Sequence, residues 1–254
     1  MSKKMPWGIC HICGQYAELS YEHIPPAASY NPPRQRMCTV ETLLQAPADK
    51  NRAPWDTSGL QYKQFQQGTG FNTLCQSCNS FTGTKYGEMY SIIIRKIGLE
   101  ISKIPKENRG YGLEIRLEQA NLLAFFKQVL SMFCSINEMP FGNKFSQFLL
   151  NVDNTDFDQK EYKICMYLHA GRVNRFVPLQ VQANIKTGNT AFFSEIAAFP
   201  VGFIFYDLSM GTKEFQGCDI TSFSACPYDN NQSAILPIPF LSCNTPFGLD
   251  FREF

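Results

Sequence analysis

Two cysteine pairs limit what this chain can fold into more than any other feature. Cys10-His11-Ile12-Cys13 and Cys75-Gln76-Ser77-Cys78 stand about sixty residues apart. Each Cys-x-x-Cys offers two thiolates at a spacing that tetrahedral zinc accepts, so the two pairs together supply a complete set of four thiolate ligands. A single redox Cys-x-x-Cys would be expected beside a βαβ pattern, and none precedes either pair. His11 lies inside the first pair and is a minor competitor for a ligand position. Gly14 after the first pair and Asn79 after the second suit a tight turn. Structural zinc in such sites is worth about 10 kcal/mol in apparent binding free energy. That is enough to hold a proline-rich segment with little core of its own.

Other features bound the setting. The chain has 254 residues, 44% of them hydrophobic, with ten cysteines and a formal net charge of +1. No general field draws it to nucleic acid or anionic membrane, so any basic surface is local. No apolar run reaches the ~18 residues of a membrane span. The start, "MSKKMPWGIC", lacks the apolar stretch of a signal peptide. A cytoplasmic protein is therefore expected, with reduced thiols. Cys38, Cys134, Cys165, Cys218, Cys226 and Cys243 read as buried thiols.

The text changes near residue 90. Before it the chain is loop-rich and holds Pro6, Pro25, Pro26, Pro32, Pro33, Pro47 and Pro54. After it, "LEQANLLAFFKQVLSMFCSI" has the spacing of a well-buried helix that Met139-Pro140 ends. "YKICMYLHA", "RFVPLQVQANI", "AFPVGFIFYDL" and "SAILPIPFL" read as strands. Residues 82–102 look helical and would join the two blocks, with Gly87 and Gly98 arguing against one unbroken helix. The expected class is α+β: a zinc-stapled domain over 1–90 with a long insertion at 27–70, then an α+β domain with a mainly antiparallel sheet over 91–254.

Between the cysteine pairs, "AELSYEHIPP" reads as a strand ending on Glu22-His23. Glu22 and Asn79 are hard oxygen donors of the kind that hold Mg²⁺, an ion that keeps water and phosphate in its other positions. A histidine beside them suits a general base, since its ordinary pKa of about 6.5 is near neutral. Metal, base and room for phosphate are the parts of metal-assisted phosphodiester hydrolysis. Taken alone, Glu22-His23 also reads as a surface acid beside a packing histidine, and Asn79 as a helix N-cap.

Cys-x-x-Cys, an acid-His pair and Cys-x-x-Cys-Asn together resemble the HNH (ββα-metal) endonucleases. The likeness is to their treble-clef, zinc-stapled branch, represented by phage endonuclease VII. "EHIPP" and "LCQSCNSFTGTKYG" are also similar to wording found in HNH-type proteins, and the resemblance covers about residues 8–90. It implies structural Zn²⁺ on Cys10, Cys13, Cys75 and Cys78, catalytic Mg²⁺ or Mn²⁺ on Glu22 and Asn79, and His23 as the base that activates water. It implies an endonuclease acting on DNA, with RNA not separated from it, and in some relatives a role in phage defence. Glu replaces the commoner Asp, and the middle Asn of the motif has only Asn72 as a weak counterpart. The alternative is a zinc-stapled nucleic-acid-binding or adaptor module without turnover.

Lys85, after Asn79, is the best single expectation for a phosphate contact. Arg34, Arg36, Lys50 and Arg52 among Tyr30, Trp55 and Tyr62 fit backbone neutralisation with base stacking, or equally ordinary loop packing. The second block carries no P-loop, dinucleotide fingerprint or nucleophile elbow. It is expected to serve as a sensor, homo-oligomer surface, regulatory-ligand site or substrate-selecting module. His169, near Arg172 and Arg175, is expected to be a packing residue.

Overall fold

A computed structural model describes residues 5–45, 56, 58–105, 112–169, 174–183, 190–209, 211 and 216–241. It is mixed α+β, and its sheets are antiparallel apart from one isolated bridge between Leu168 and Phe240. Among the described residues, no helix is long and apolar enough to cross a membrane.

The first ninety residues build a small sheet. Strands β1 (Trp7–Ile9), β2 (Tyr16–His23) and β5 (Gly70–Cys75) lie in the order β1-β2-β5. Pairing of β2 with β5 slips by one residue between Ser20 and Glu22. A bulge of this kind re-aims side chains. Simple alternation of faces accordingly breaks here, with Leu19 and Glu22 both buried three residues apart. The excursion between β2 and β5 carries a hairpin of β3 (Gln35–Met37) and β4 (Lys63–Phe65), with α1 (Val40–Leu44) between them. Lys50, Arg52 and Trp55 lie outside the described residues, as do Pro47 and Pro54.

Helix α2 (Gln76–Lys103) begins directly on the second cysteine pair and runs unbroken through Gly87 and Gly98. Tyr86, Tyr90, Ile93, Ile94, Ile97 and Ile101 form its buried stripe, and that packing outweighs the glycine penalty of about 1 kcal/mol each. The helix crosses the boundary expected at residue 90. One hydrophobic cluster also runs from Cys10 and Ile12 through Ile97 to Phe203 and Ile238, so this core is continuous across both blocks.

At the centre of that core is α3 (Leu122–Ile136), buried on nearly every side, as expected of a helix apolar all round. The predicted helix starts too early. Leu117 to Ala120 belong to β6 (Leu113–Ala120), which pairs with β12 (Gln232–Ile238). Asn121 then caps α3, its side chain accepting from Ala124 N at 2.9 Å. Beyond α3, the short helices α4 (Met139–Lys144) and α5 (Ser146–Leu150) follow, with Pro140 in the first turn of α4. On the other side stands a five-stranded sheet in the order β11-β7-β10-β9-β8. It is formed by β7 (Tyr162–Leu168), β8 (Arg175–Ala183), β9 (Thr190–Ala198), β10 (Val201–Asp207) and β11 (Cys218–Asp219). Phe125 and Phe133 of α3 meet Phe203 and Phe205 of β10 at ring separations of 6.1 and 5.8 Å.

Candidate metal centre and cavity

The four cysteines of the two pairs come together. Their sulfurs all lie within 4.8 Å of one another, and Cys13 Sγ stands 3.9 Å from Cys75 Sγ. Tetrahedral Zn–S bonds of about 2.3 Å require sulfurs about 3.8 Å apart, so the cluster fits zinc. Gly14 takes a positive φ of 71° that returns the chain after Cys13, and its N–H donates to Cys10 O at 2.9 Å. The second pair is built differently from expectation: Cys75 is the cap residue of α2 and Cys78 sits in its first turn. Asn79 therefore lies inside the helix and neither caps it nor follows in a turn. Helix α4 braces the first pair. Gly142 packs so closely on the His11 carbonyl that a side chain there would collide with it. His11 Nδ1 meets Cys134 O at 3.2 Å.

The electrostatics of the four thiols suit a bound cation. Cys10 is drawn down to about 4, chiefly by its hydrogen bond with Cys78. Cys78 is pushed up by the same partner and by burial, and Cys13 is pushed up by burial. Four adjacent thiols cannot all ionise unaided, whereas a divalent cation stabilises every thiolate at once.

Next to this cluster lies a cavity of about 420 Å³, bordered by Glu22, His23 and Asn79 among others. Asn79 Nδ2 donates to Ser20 Oγ at 2.9 Å and to Tyr21 O at 3.1 Å. A carbonyl can only accept, so the amide orientation is settled and Oδ1 faces away from β2. Glu22 is only 4% exposed. It accepts from Ser135 Oγ, and that hydroxyl lies 2.8 Å from Thr73 Oγ1. Burial, opposed by the Ser135 hydrogen bond, pushes the Glu22 carboxyl up to about 8.

His23 Nε2 lies 2.9 Å from the Gln67 carbonyl, and its ring stands edge-on to Tyr21 at 5.2 Å. The residue that fixes this arrangement is Asn31, buried at the base of the excursion. Its Nδ2 donates to Pro25 O at 2.7 Å and Thr69 O at 2.8 Å, and its Oδ1 accepts from Thr69 N at 2.8 Å. Asn72 does not reach the histidine; its amide donates to Leu19 O at 3.3 Å. The contact to His23 comes from a main-chain group, which side-chain identity does not encode.

Lys85 is exposed on α2 and does not border the cavity; its main-chain carbonyl accepts from Tyr228 OH at 2.9 Å. The reason is helical geometry: the face of α2 that borders the cavity carries Arg95 instead. Sequence reading also missed Ser135 and Gln128, both on α3. The one available signal was a Lys-Gln pair and lone serines inside an otherwise apolar stripe.

In the excursion, the Arg36 guanidinium lies 4.6 Å from the Tyr62 ring centre. In the second block, His169 is 1% exposed and its N–H donates to Pro200 O at 2.9 Å. Arg175 pairs with Glu195 at 3.0 Å. Arg172 and Cys243 lie outside the described residues. Compared with known proteins, the chain matches no family model, no curated protein and no solved structure.

Proposed function

We propose that this chain is a metal-dependent endonuclease of the HNH type that hydrolyses phosphodiester bonds in DNA, on a treble-clef scaffold stapled by zinc. The observation that carries the reading is that Glu22, His23 and Asn79 border one cavity beside the four-cysteine cluster. Zinc on Cys10, Cys13, Cys75 and Cys78 would be structural, since four protein ligands leave no open position. Asn79 Oδ1 and the Glu22 carboxylate are the groups that would hold Mg²⁺ or Mn²⁺. Such an ion, when bound, supplies charge stabilisation to a phosphate oxygen. Asn79 supports this role because its Nδ2 is spent on β2 and its Oδ1 is not.

His23 contributes the proton transfer. Because Gln67 O can only accept, Nε2 must carry the ring proton, which leaves Nδ1 as the basic nitrogen. The tautomer needed for a base that takes a proton from water is thus set by the main chain. Lys85, exposed and away from the cavity, is not given a role at the phosphate.

The adaptor reading draws on Glu22, which is buried, hydrogen-bonded to Ser135 and pushed toward its neutral form. A carboxyl in that state is a core group until a cation arrives. Nicking of supercoiled plasmid and of single-stranded circular DNA, with Mg²⁺ or Mn²⁺, separates the two readings. Cutting by the wild type that His23→Ala loses supports the nuclease. Equal cutting by both proteins refutes the mechanism. One bound zinc with no cutting of either substrate leaves the adaptor.

The 91–254 block contributes α3, whose Ser135 and Gln128 reach the site. That supports a substrate-selecting role for it over that of a detached sensor.

A further inference from the structure

The cavity extends from Glu22 and Asn79 along one face of α2. Asn79, Gly83, Gly87, Ser91 and Arg95 recur every fourth residue and all border it. At 1.5 Å per residue, Gly87 lies about 12 Å from Asn79 and about 12 Å from Arg95, so the cavity is a groove. Its other wall is the 26–28 segment. That wall is pinned on both sides: Ser29 Oγ donates to Ser91 Oγ at 2.9 Å, Arg95 Nε donates to Ala28 O at 2.8 Å, and the Tyr30 ring lies over Gly98.

The floor is made by two mid-helix glycines that packing does not demand. A Cβ on Gly83 would meet nothing within 4 Å, and one on Gly87 would meet only Gln128 Oε1, at 3.7 Å. Glycine weakens a helix interior, and what these two provide is open space.

Gln128 is an independent observation. It is 3% exposed, borders the groove, and its Oε1 has no hydrogen-bond partner. The amide orientation is settled, because the Ser131 hydroxyl donates its one proton to Gln128 O at 2.8 Å and so can only accept from Gln128 Nε2 at 3.2 Å. Oε1 is therefore held toward Gly87 as a buried acceptor without a donor, a state that native proteins seldom leave unexplained.

Charge and size narrow the ligand. The chain carries a net +1, and the groove sets Glu88 against Arg95, so phosphate neutralisation alone gives little binding. A duplex keeps its bases stacked, whereas an unstacked base can enter a half-enclosed cavity and be read by its edge. We propose that the α2 groove is a subsite for one unstacked base of single-stranded nucleic acid. The base edge donates an N–H to Gln128 Oε1, and Arg95 contacts a neighbouring phosphate. This rests on the nuclease reading of the adjoining Glu22–His23–Asn79 cluster and names its substrate as single-stranded.

The test is fluorescence anisotropy on full-length, zinc-loaded protein carrying His23→Ala, so that binding is measured without turnover. The probes are a labelled single-stranded DNA and the same strand annealed as duplex. The single strand should bind at least about tenfold more tightly, a difference of about 1.4 kcal/mol. Gly87→Leu, which fills the groove, and Gln128→Leu, which removes the acceptor, should each weaken single-strand binding about tenfold with the melting temperature retained. Equal affinity for the two probes, or unchanged binding in both folded variants, overturns the subsite. Should the wild type cut DNA while these binding differences are absent, the subsite fails and the nuclease reading survives. Groove-dependent single-strand binding without any cutting by wild type leaves the subsite standing and removes the nuclease reading.

Discussion

The His23 imidazole and the Gln67 carbonyl meet at 2.9 Å, although forty-four residues separate them. What brings them together is Asn31, which ties Pro25, just past the end of β2, to Thr69, just before β5. His23→Ala should lower DNA cleavage by about 10²-fold or more, the usual contribution of a general base. Asn31→Ala should cost about 2–3 kcal/mol of stability, because buried main-chain groups lose their partners. It should also lower turnover in the fraction that remains folded. Denaturant titration beside a nicking assay measures both effects.

Removing the cross-link should be far more damaging. Elemental analysis should find one zinc per chain, lost in Cys13→Ser or Cys78→Ser. A structural zinc of about 10 kcal/mol exceeds the usual margin of a domain. Strong chelation should therefore unfold the β1-β2-β5 sheet rather than merely inactivate it, which circular dichroism before and after chelator would register.

Glu22 gives a stability profile with a definite sign. Its folded carboxyl sits at about 8, above the ~4.3 of an unfolded glutamate. In that window the folded state holds a proton that the unfolded state releases. Stability without added divalent ions should therefore fall as pH rises from about 4.5 to about 8. The span of roughly 3.5 units corresponds to at most about 5 kcal/mol. Glu22→Gln should flatten this slope, cost little stability near pH 7, and abolish Mg²⁺- or Mn²⁺-dependent cleavage. Urea melts across that pH range compare the two proteins.

Lys127 predicts the opposite slope. It is fully buried in α3, donates to Asn151 O and Val152 O at 2.7 and 3.0 Å, and lies 4.5 Å from the Phe148 ring centre. Burial draws its pKa down to about 8. Because that lies below the unfolded value of ~10.4, the cost of burying the cation is present in full below pH 8. Stability should recover between pH 8 and about 10.4, by about 3 kcal/mol. The difference between wild-type and Lys127→Met melts over this range isolates the effect from other titrating groups.

What the sequence made legible was local. The cysteine spacing, the strand ending at Glu22-His23 and the strands at Tyr162–Leu168, Arg175–Ala183, Val201–Asp207 and Gln232–Ile238 follow from periodicities within ten residues, whereas Thr190–Ala198 was not read as a strand. The helix of "LEQANLLAFF" was begun too early because Leu117 and Ala120 continue its apolar stripe. Only the pairing with Gln232–Ile238, more than a hundred residues away, makes that segment a strand. The site divides in the same way. Glu22, His23 and Asn79 could be picked out as a motif. Gln67 acts through its main chain, and Ser135 and Gln128 arrive on a helix that looked like pure core. Lys85 was chosen for nearness in sequence to Asn79, whereas the cavity selects every fourth residue of α2 and reaches Arg95.

Asn31 and Thr69 pinch shut the neck of the segment between β2 and β5, so the placement of His23 is set at the neck and not by the length of chain beyond it. Doubling the length of such a closed excursion adds only about 0.6 kcal/mol of entropy. The neck is thus a place where chains sharing this scaffold are free to grow, shrink or exchange an appendage without retuning the histidine beneath it.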